Sequence, residues 1–480
     1  MIKADHPKDQ SVIGMVFNQG QGHVFRWWDD LSDTSRRNLL DQLGAIDFDL
    51  MERLWSQIVQ HTETGRTGPG LEPAEYISLP QTTEEKAAER EARLVGEEAI
   101  RSGRVAAFLV AGGQGTRLGF DGPKGCYPIG PVSGKSLFQL HAEKIRAAQK
   151  KYSVIIPWMI MTSETNDAAT QQFFHDNGFF GLSDQDVRFF TQRMIPALDS
   201  EGRLILDAKD HIFMSPNGHG GSLLALFESG SLDDMAERGV DTISYFQVDN
   251  VLTTIIDPVF IGRHIQAGAE MSSKMVKKRH PLEKVGVFGR SGGKLRVIEY
   301  SDLSRKDAEA RGPDGSLVYG AGSIATHILN VAFVRDEVEG GFRLPYHVAH
   351  KAIPHLNKEG ENIVPDTPNG YKFETFVFDA LADTTASVIM EVAREEAFSP
   401  VKNAQGENSP DTARRDLSTF FERWLEAAGI PIPRNSEGIT SALIEVSPLY
   451  APDLEMFLKK VPSDIRFEQS LYLGPTQGGR

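Results

Sequence analysis

The sequence predicts an α/β fold: a mostly parallel, Rossmann-like sheet, with a helical N-terminal region before it and a small C-terminal domain after it. Three observations predict this. Apolar runs rich in β-forming residues alternate with stretches of helical periodicity between about residues 105 and 250, and strands joined through helices pair in parallel. One of those runs, from Val105 to Val110, passes straight into glycine-rich sequence, as expected at the carboxyl edge of such a sheet, where ligands collect. The first hundred residues carry helical patterning and nothing that reads as chemistry. The expected parts are a helical region over 1–103, the sheet domain with an inserted subsheet over 104–400, and a small C-terminal domain over 401–480.

Taken in order, Leu39, Leu40, Leu43, Ile46, Leu50, Leu54 and Ile58 recur near a 3.6-residue period. They predict one helix from Ser32 to about Gln60, with Asp33 or Thr34 able to cap it. Gly65, Gly68, Pro69, Gly70, Pro73 and Pro80 break the pattern, and a charged helix follows from Thr83 to Ser102, stopped by Gly103 as a C-terminal glycine should. Beyond the glycine-rich stretch, Leu137, Leu140, Ile145 and Ala148 mark an amphipathic helix. The run from Val154 to Met161 reads as a buried strand, and Ser163 can cap a helix reaching Asp176. Val187 to Phe190 is strand-like, Gly221 to Ser229 helical, and Thr242 to Val248 a strand again. After Asp257 the pattern changes: two β-rich runs, Val285 to Phe288 and Leu295 to Tyr300, flank Ser291-Gly292-Gly293 and predict a hairpin, because glycine supplies the positive φ of a tight turn. The polar, glycine- and proline-punctuated segment from Val401 to Arg415 marks the last boundary, before a helix from about Asp416 to Ala428.

At 480 residues, 40% hydrophobic and 24% charged, the chain is long enough for two or three domains sharing a sizeable core. A formal charge of −15 speaks against a broad nucleic-acid footprint, while leaving room for a local basic site. Cys126 is the single cysteine, so an intrachain disulfide and a cysteine zinc cluster are both excluded. Neither a secretory leader nor a run approaching the roughly 20 apolar residues of a membrane span stands out. A cytoplasmic protein without nucleic-acid or membrane partners is expected; its oligomeric state is not legible.

The candidate site begins at Gly112, Gly113 and Gly115. Glycines let the backbone turn its N–H groups onto an anion, with Thr116 beside them, and Arg117 and Lys124 add positive charge: a phosphate binder. The order of residues does not match the dinucleotide pattern Gly-x-Gly-x-x-Gly. A second glycine-rich stretch, Gly130-Pro131-Val132-Ser133-Gly134-Lys135-Ser136, is one residue short of a Walker A loop and lacks a strand before it. Asp249, at the end of the Thr242 strand, puts a carboxylate at the same edge, a hard oxygen ligand of the kind Mg²⁺ takes beside phosphate oxygens. His347, His350 and His355 sit by a proline-interrupted run without a completing carboxylate, and packing or surface roles are expected of them.

The string Gly112-Gly113-Gln114-Gly115-Thr116-Arg117-Leu118-Gly119, followed by Pro123-Lys124, resembles the signature of the UDP-sugar pyrophosphorylases. In this form it is similar to that of the eukaryotic-type UDP-N-acetylglucosamine pyrophosphorylases. The resemblance runs from about Val105 to Ala404 and implies a GT-A-like nucleotidyltransferase sheet. It implies that Asp249, in Val-Asp-Asn, is the metal position, that Gln192 reads uracil, and that the Pro216–Gly221 loop, with Gly218 and His219, lies against nucleotide and sugar. It further implies that Gly286 and Glu299 meet sugar hydroxyls, Phe376 and Phe378 the N-acetyl group, and Lys402 a phosphate. Two departures fall on the sugar side: Gly218-His219-Gly220-Gly221 where N-acetylglucosamine enzymes carry Gly-Asn-Gly-Gly, and Ser323 within Gly320-Ala321-Gly322-Ser323-Ile324-Ala325 where they carry a second asparagine. The Gly-His-Gly form is closer to UDP-glucose pyrophosphorylases.

The implied reaction is UTP plus N-acetylglucosamine 1-phosphate giving UDP-N-acetylglucosamine and pyrophosphate, with Mg²⁺ as cofactor. Glucose 1-phosphate, or several hexose 1-phosphates, is the alternative substrate. A sugar 1-phosphate carries its own nucleophilic oxygen, so the chemistry needs positioning and charge neutralisation rather than a protein nucleophile. A non-catalytic nucleotide-sugar sensor is the alternative of another class; it would keep the binding positions and lose Arg117, Lys124 and Asp249, all of which are present.

Overall fold

The computed structural model describes residues 2, 6–60, 70–435, 440 and 442–475; Gly65, Gly68 and Pro69 of the expected break lie outside them. Two compact units form, each from three stretches of chain. The larger holds Thr67–Gln192, Ser222–Arg343 and Phe378–Arg480; the smaller holds Met1–Arg66, Arg193–Gly221 and Leu344–Val377.

The larger unit is built on a ten-stranded sheet. Its main strands are β1 (Val105–Val110), β2 (Trp158–Thr162), β3 (Val187–Thr191), β4 (Thr242–Gln247), β5 (Met271–Lys277), β6 (Val287–Ser291), β7 (Lys294–Ile298), β8 (Ala321–Asn330) and β9 (Ile389–Glu391). The spatial order β6-β8-β4-β1-β2-β3 puts four parallel strands side by side, with β4 in register on β1 from Thr242↔Val105 to Gln247↔Val110. Residues 105–109 of β1 are all buried, the continuous apolar run that a strand covered on both faces requires. β8 runs antiparallel to β4 and carries the inserted subsheet: β6 and β7 form the expected hairpin, turning at Gly292 and Gly293 with φ of 58° and 77°.

Among the helices that pack around this sheet and its edge are α1 (Thr83–Arg101), α2 (Leu137–Tyr152), α3 (Pro258–Gln266) and α4 (Pro410–Ala427). Thr82 and Glu85 close a reciprocal cap at the start of α1. α1 and α3 cross backbone to backbone, because a Cβ on Gly262 would stand 1.7 Å from the Ala92 carbonyl oxygen and one on Gly96 1.9 Å from that of Pro258. Ala107, Leu109, Phe138, Ile145, Trp158, Phe246, Leu417, Leu425 and Ile444 share one buried core, so the C-terminal helix is packed into the same interior as the sheet. It starts at Pro410, six residues earlier than the pattern suggests, because Ser409 and Thr412 cap it.

The smaller unit sets the helices Pro7–Asn18, Asp33–Ala45 and Phe48–Gln60 beside a three-stranded sheet of His347–Lys351, Gly370–Glu374 and Leu198–Asp199. Ile13, Leu39, Leu43, Leu54, Ile195, Ile212 and Phe373 form its core. The single helix expected from Ser32 to Gln60 is two: Ser32 is the N-cap, and extended backbone at Ile46 ends the first helix. The helical layer expected over 1–103 is thereby divided, with these three helices in the smaller unit and α1 in the larger.

Candidate active site

In the larger unit, the parallel register of β1 and β4 brings the ends of both strands to one edge. The glycine-rich loop leaves β1 there and folds back on itself: Gly115 N–H donates to Gly122 O at 2.8 Å and Lys124 N–H to Gly113 O at 3.1 Å. Arg117 lies exposed in a 3-10 turn over Thr116–Leu118, which Gly119 closes with φ 69°. Arg117 makes no ion pair with other described residues. Lys124 instead turns towards β4, and its Nζ lies 3.6 Å from Oδ2 of Asp249, with the two side chains only 17% and 11% exposed. Two residues that stand 125 positions apart in the chain thus meet where a strand end and a glycine loop converge.

Gln192 follows β3 and is buried at the same edge. A Cβ on Gly112 would lie 2.9 Å from the Gln192 Nε2, so glycine at this position is what leaves room for the amide. Gly115 is likewise closed in, by Phe120, whereas Gly113 has open space beside it. Lys402 is exposed, one residue beyond Val401, whose N–H donates to the main-chain oxygen of Asp249 at 2.9 Å. On the inserted subsheet, Gly286, Glu299 and Ser323 are brought together. A Cβ on Gly286 would stand 3.2 Å from Glu299 Oε1, and Ser323 N–H donates to Gly286 O at 2.8 Å. Phe378 is buried in this unit.

The smaller unit carries the remaining positions. Gly218 has φ 84°, and both it and Gly220 press on the main chain of Thr375 and Phe376. Gly220 N–H donates to Thr375 O, and Thr375 N–H to Asn217 O, each at 2.8 Å. His219 stacks on Phe376 at 5.3 Å and accepts from Val377 N–H through Nδ1 at 3.2 Å, which in a neutral ring leaves the proton on Nε2. His347 stacks on the same phenylalanine, and His350 on Tyr371, so both have packing roles.

Several residues that support the site carry no signal readable in the sequence. Asn166 donates to the carbonyls of Ala111 and Gly113 and so props the start of the loop. His141 and Lys144, one turn apart on α2, hold the chain on either side of Asp249: His141 Nε2 donates to Val248 O, and Lys144 Nζ to the carbonyls of Val251 and Thr253. Burial pushes the His141 ring down to about 3 and the Lys144 ammonium down to about 7. The Walker-like stretch binds a carboxylate of the protein itself: Val132 N–H, Ser133 N–H and Ser133 Oγ all donate to Glu445.

A glycine loop, a cation and a carboxylate at one strand edge suit phosphate-group transfer, and the relationships of the chain agree. Residues 71–408 match the family model described as UTP-glucose-1-phosphate uridylyltransferase. The UDP-N-acetylhexosamine pyrophosphorylase-like protein 1 of Xenopus tropicalis is 39% identical, over 92% of each chain. The UDP-N-acetylglucosamine pyrophosphorylase of Saccharomyces cerevisiae is 38% identical, over 90% of this chain and 93% of the yeast protein. Among solved structures, the uridine diphosphate N-acetylglucosamine pyrophosphorylase of Trypanosoma brucei superposes with a TM-score of 0.80 at 26% identity, over 99% of this chain and all of that one. The chain belongs to this family of UDP-sugar pyrophosphorylases, and it is a nucleotidyltransferase.

Proposed function

We propose that the enzyme joins UTP to N-acetylglucosamine 1-phosphate, releasing pyrophosphate, and that it uses glucose 1-phosphate detectably. The observation that supports the site assignment most is the approach of Lys124 to Asp249 at 3.6 Å beside the glycine loop. Opposite charges held largely out of water at a strand end are what a triphosphate with its metal needs to find. The amides of Gly112 and Gly113, with Thr116, cradle the phosphates, and Gly115, whose own N–H is taken by Gly122 O, keeps the loop folded around them; Arg117 and Lys124 neutralise the charge that builds on the departing pyrophosphate; Lys402 holds a phosphate from the other side. Gln192 reads the uracil edge, its amide donating and accepting at once. A phosphate oxygen of the sugar substrate attacks the α-phosphorus in line as the bond to pyrophosphate breaks.

Asp249 is proposed as the Mg²⁺ ligand. Among the described residues no three His, Cys, Asp or Glu side chains gather at one point. A metal held there would complete its shell from phosphate oxygens and water, the usual habit of Mg²⁺. It would neutralise triphosphate charge. Gly218, His219, Gly286, Glu299 and Ser323 are proposed to face the sugar, with Phe376 and Phe378 shaping the space for the acetyl methyl. A methyl-sized pocket discriminates by about 1–3 kcal/mol, so a preference of tens to a few hundred fold is expected. Pyrophosphate release from UTP and Mg²⁺ with the two sugar phosphates in competition tests this: a higher kcat/KM for glucose 1-phosphate would overturn the N-acetyl assignment. Asp249→Asn tests the metal site, and an unchanged Mg²⁺ titration would move it elsewhere.

A further inference from the structure

Lys402 sits in an irregular stretch between β9 and α4, where no strand or helix holds it. Its neighbours on the N-terminal side are nonetheless fixed. Asn250, 3% exposed, donates from Nδ2 to Ala397 O at 2.7 Å and accepts at Oδ1 from Ser399 N–H at 2.9 Å. Asn250 and Pro400 pair as an isolated antiparallel bridge, and Asp249 O accepts from Val401 N–H. Ser399 Oγ donates to Asp416 on α4 at 2.9 Å. On the C-terminal side, Lys402 N–H donates to Asn408 O at 2.7 Å in a short return loop. The chain is therefore pinned at every residue from Ser399 to Lys402, and the pins on the N-terminal side run back to the dipeptide Asp249-Asn250.

We propose that Asn250 is a positioning residue, which latches the Lys402 segment to the metal-binding strand end so that Asp249 and Lys402 present their charges to the substrate phosphates as one rigid group. The inference rests on the proposed roles of Asp249 and Lys402. Only an amide fits the latch, because one arm must donate to a carbonyl while the other accepts from an N–H. Alanine removes both contacts and leaves a buried carbonyl and a buried N–H without partners. Aspartate keeps the acceptor and sets a negative charge against the Ala397 carbonyl. Preorganised charge of this kind is most useful in the transition state, so the loss should fall on kcat more than on KM for the sugar phosphate.

The test is a double-mutant cycle of Asn250→Ala with Lys402→Ala in the full-length enzyme, following pyrophosphate release and thermal unfolding. Each single variant is expected to lose at least about tenfold in kcat, and the double variant no more than about threefold beyond Lys402→Ala alone. Asn250→Asp, which keeps the shape of the side chain, is measured alongside it and carries the test if the alanine variant does not fold; it should show the same failure to add. A purely structural asparagine would lower the unfolding temperature, yet its loss in kcat would multiply with that of Lys402→Ala, and that result overturns the latch. If Lys402→Ala alone turns over like the wild type, the reading of Lys402 is the part that fails, and the latch loses its purpose with it.

Discussion

Substituting Gly112 by alanine probes the proposed nucleotide end of the site, because the new methyl has one identifiable neighbour. It would stand 2.9 Å from Gln192 Nε2 and 3.5 Å from Gln192 Cδ, with Ser163 Cβ at an ordinary 3.6 Å. Gly112 does not have the positive φ that would strain an alanine, so the backbone can stay. Gln192 must move, by roughly half an ångström or more, to restore van der Waals distance. Leaving its rotamer costs about 0.5–1.5 kcal/mol, and misdirecting its hydrogen bonds to a uracil edge costs about 1–3 kcal/mol more. Together these predict a fall in kcat/KM for UTP of roughly tenfold to two thousandfold. The fold should be unaffected, and the preference for UTP over CTP should narrow.

Steady-state pyrophosphate release with UTP and with CTP, alongside thermal unfolding, measures all three. The control is Gln192→Ala: once the amide is gone the methyl has nothing to displace, so Gly112→Ala added to it should change little. Near-normal use of UTP by Gly112→Ala would refute the reasoning, as would losses that multiply with those of Gln192→Ala.

The geometry carries three further expected outcomes. Arg117→Ala and Lys124→Ala should each cut turnover at saturating UTP and Mg²⁺ by about a hundredfold or more, while unfolding normally, since a charged transition-state contact is worth roughly 3 kcal/mol; near-normal turnover in either would remove that residue from the mechanism. Gly262→Ala should destabilise the protein by about 1–3 kcal/mol in urea unfolding, despite alanine's better helix propensity, because its Cβ meets main-chain atoms of α1 that cannot swing aside. Glu337 is 1% exposed, its Oε2 has no hydrogen-bond partner among the described residues, and burial raises its carboxyl from 4.5 to about 7. The native state therefore holds a proton that the unfolded chain releases, so stability should fall as pH rises from about 4.5 to 7. Glu337→Gln should flatten that fall and be more stable by up to about 3 kcal/mol above pH 7; an identical pH dependence would show that Glu337 does not titrate there.

What the sequence made legible was local. Continuous apolar runs specify covered parallel strands, and a run ending in glycines specifies the edge, so the meeting of the Gly112–Lys124 loop with Asp249 could be anticipated from each strand separately. The partners of buried polar groups could not. His141 and Lys144 fall on the same face of α2 as Leu137, Leu140 and Ala148, and Glu143 off it, but the period does not name what they meet: the first two hold carbonyls around Asp249, and Glu143 pairs with Lys135 and Ser447. Asn166 and Asn250 are ordinary loop residues until the chain they hold is seen. Gly96 reads as a minor flaw in a helix, because the carbonyl of Pro258 that excludes a methyl there is supplied by a distant segment. The break at Ile46 was likewise hidden, since apolar residues keep their period across it while the backbone turns extended.

The composition of the smaller unit bears on how the protein is made. Its core joins Ile13 and Leu39 to Ile212 and to Phe373, the last of which is translated more than three hundred residues after the helices it covers. At a ribosomal rate of about 5–20 residues per second, the three helices between Pro7 and Gln60 wait roughly 15–60 s for the strand that completes their interior. In that interval they are short amphipathic segments with an uncovered apolar face, and helices of this length are marginal in water without a tertiary partner. They should thus be the stretch of the nascent chain that most needs shielding, since they leave the ribosome long before the strand that covers them.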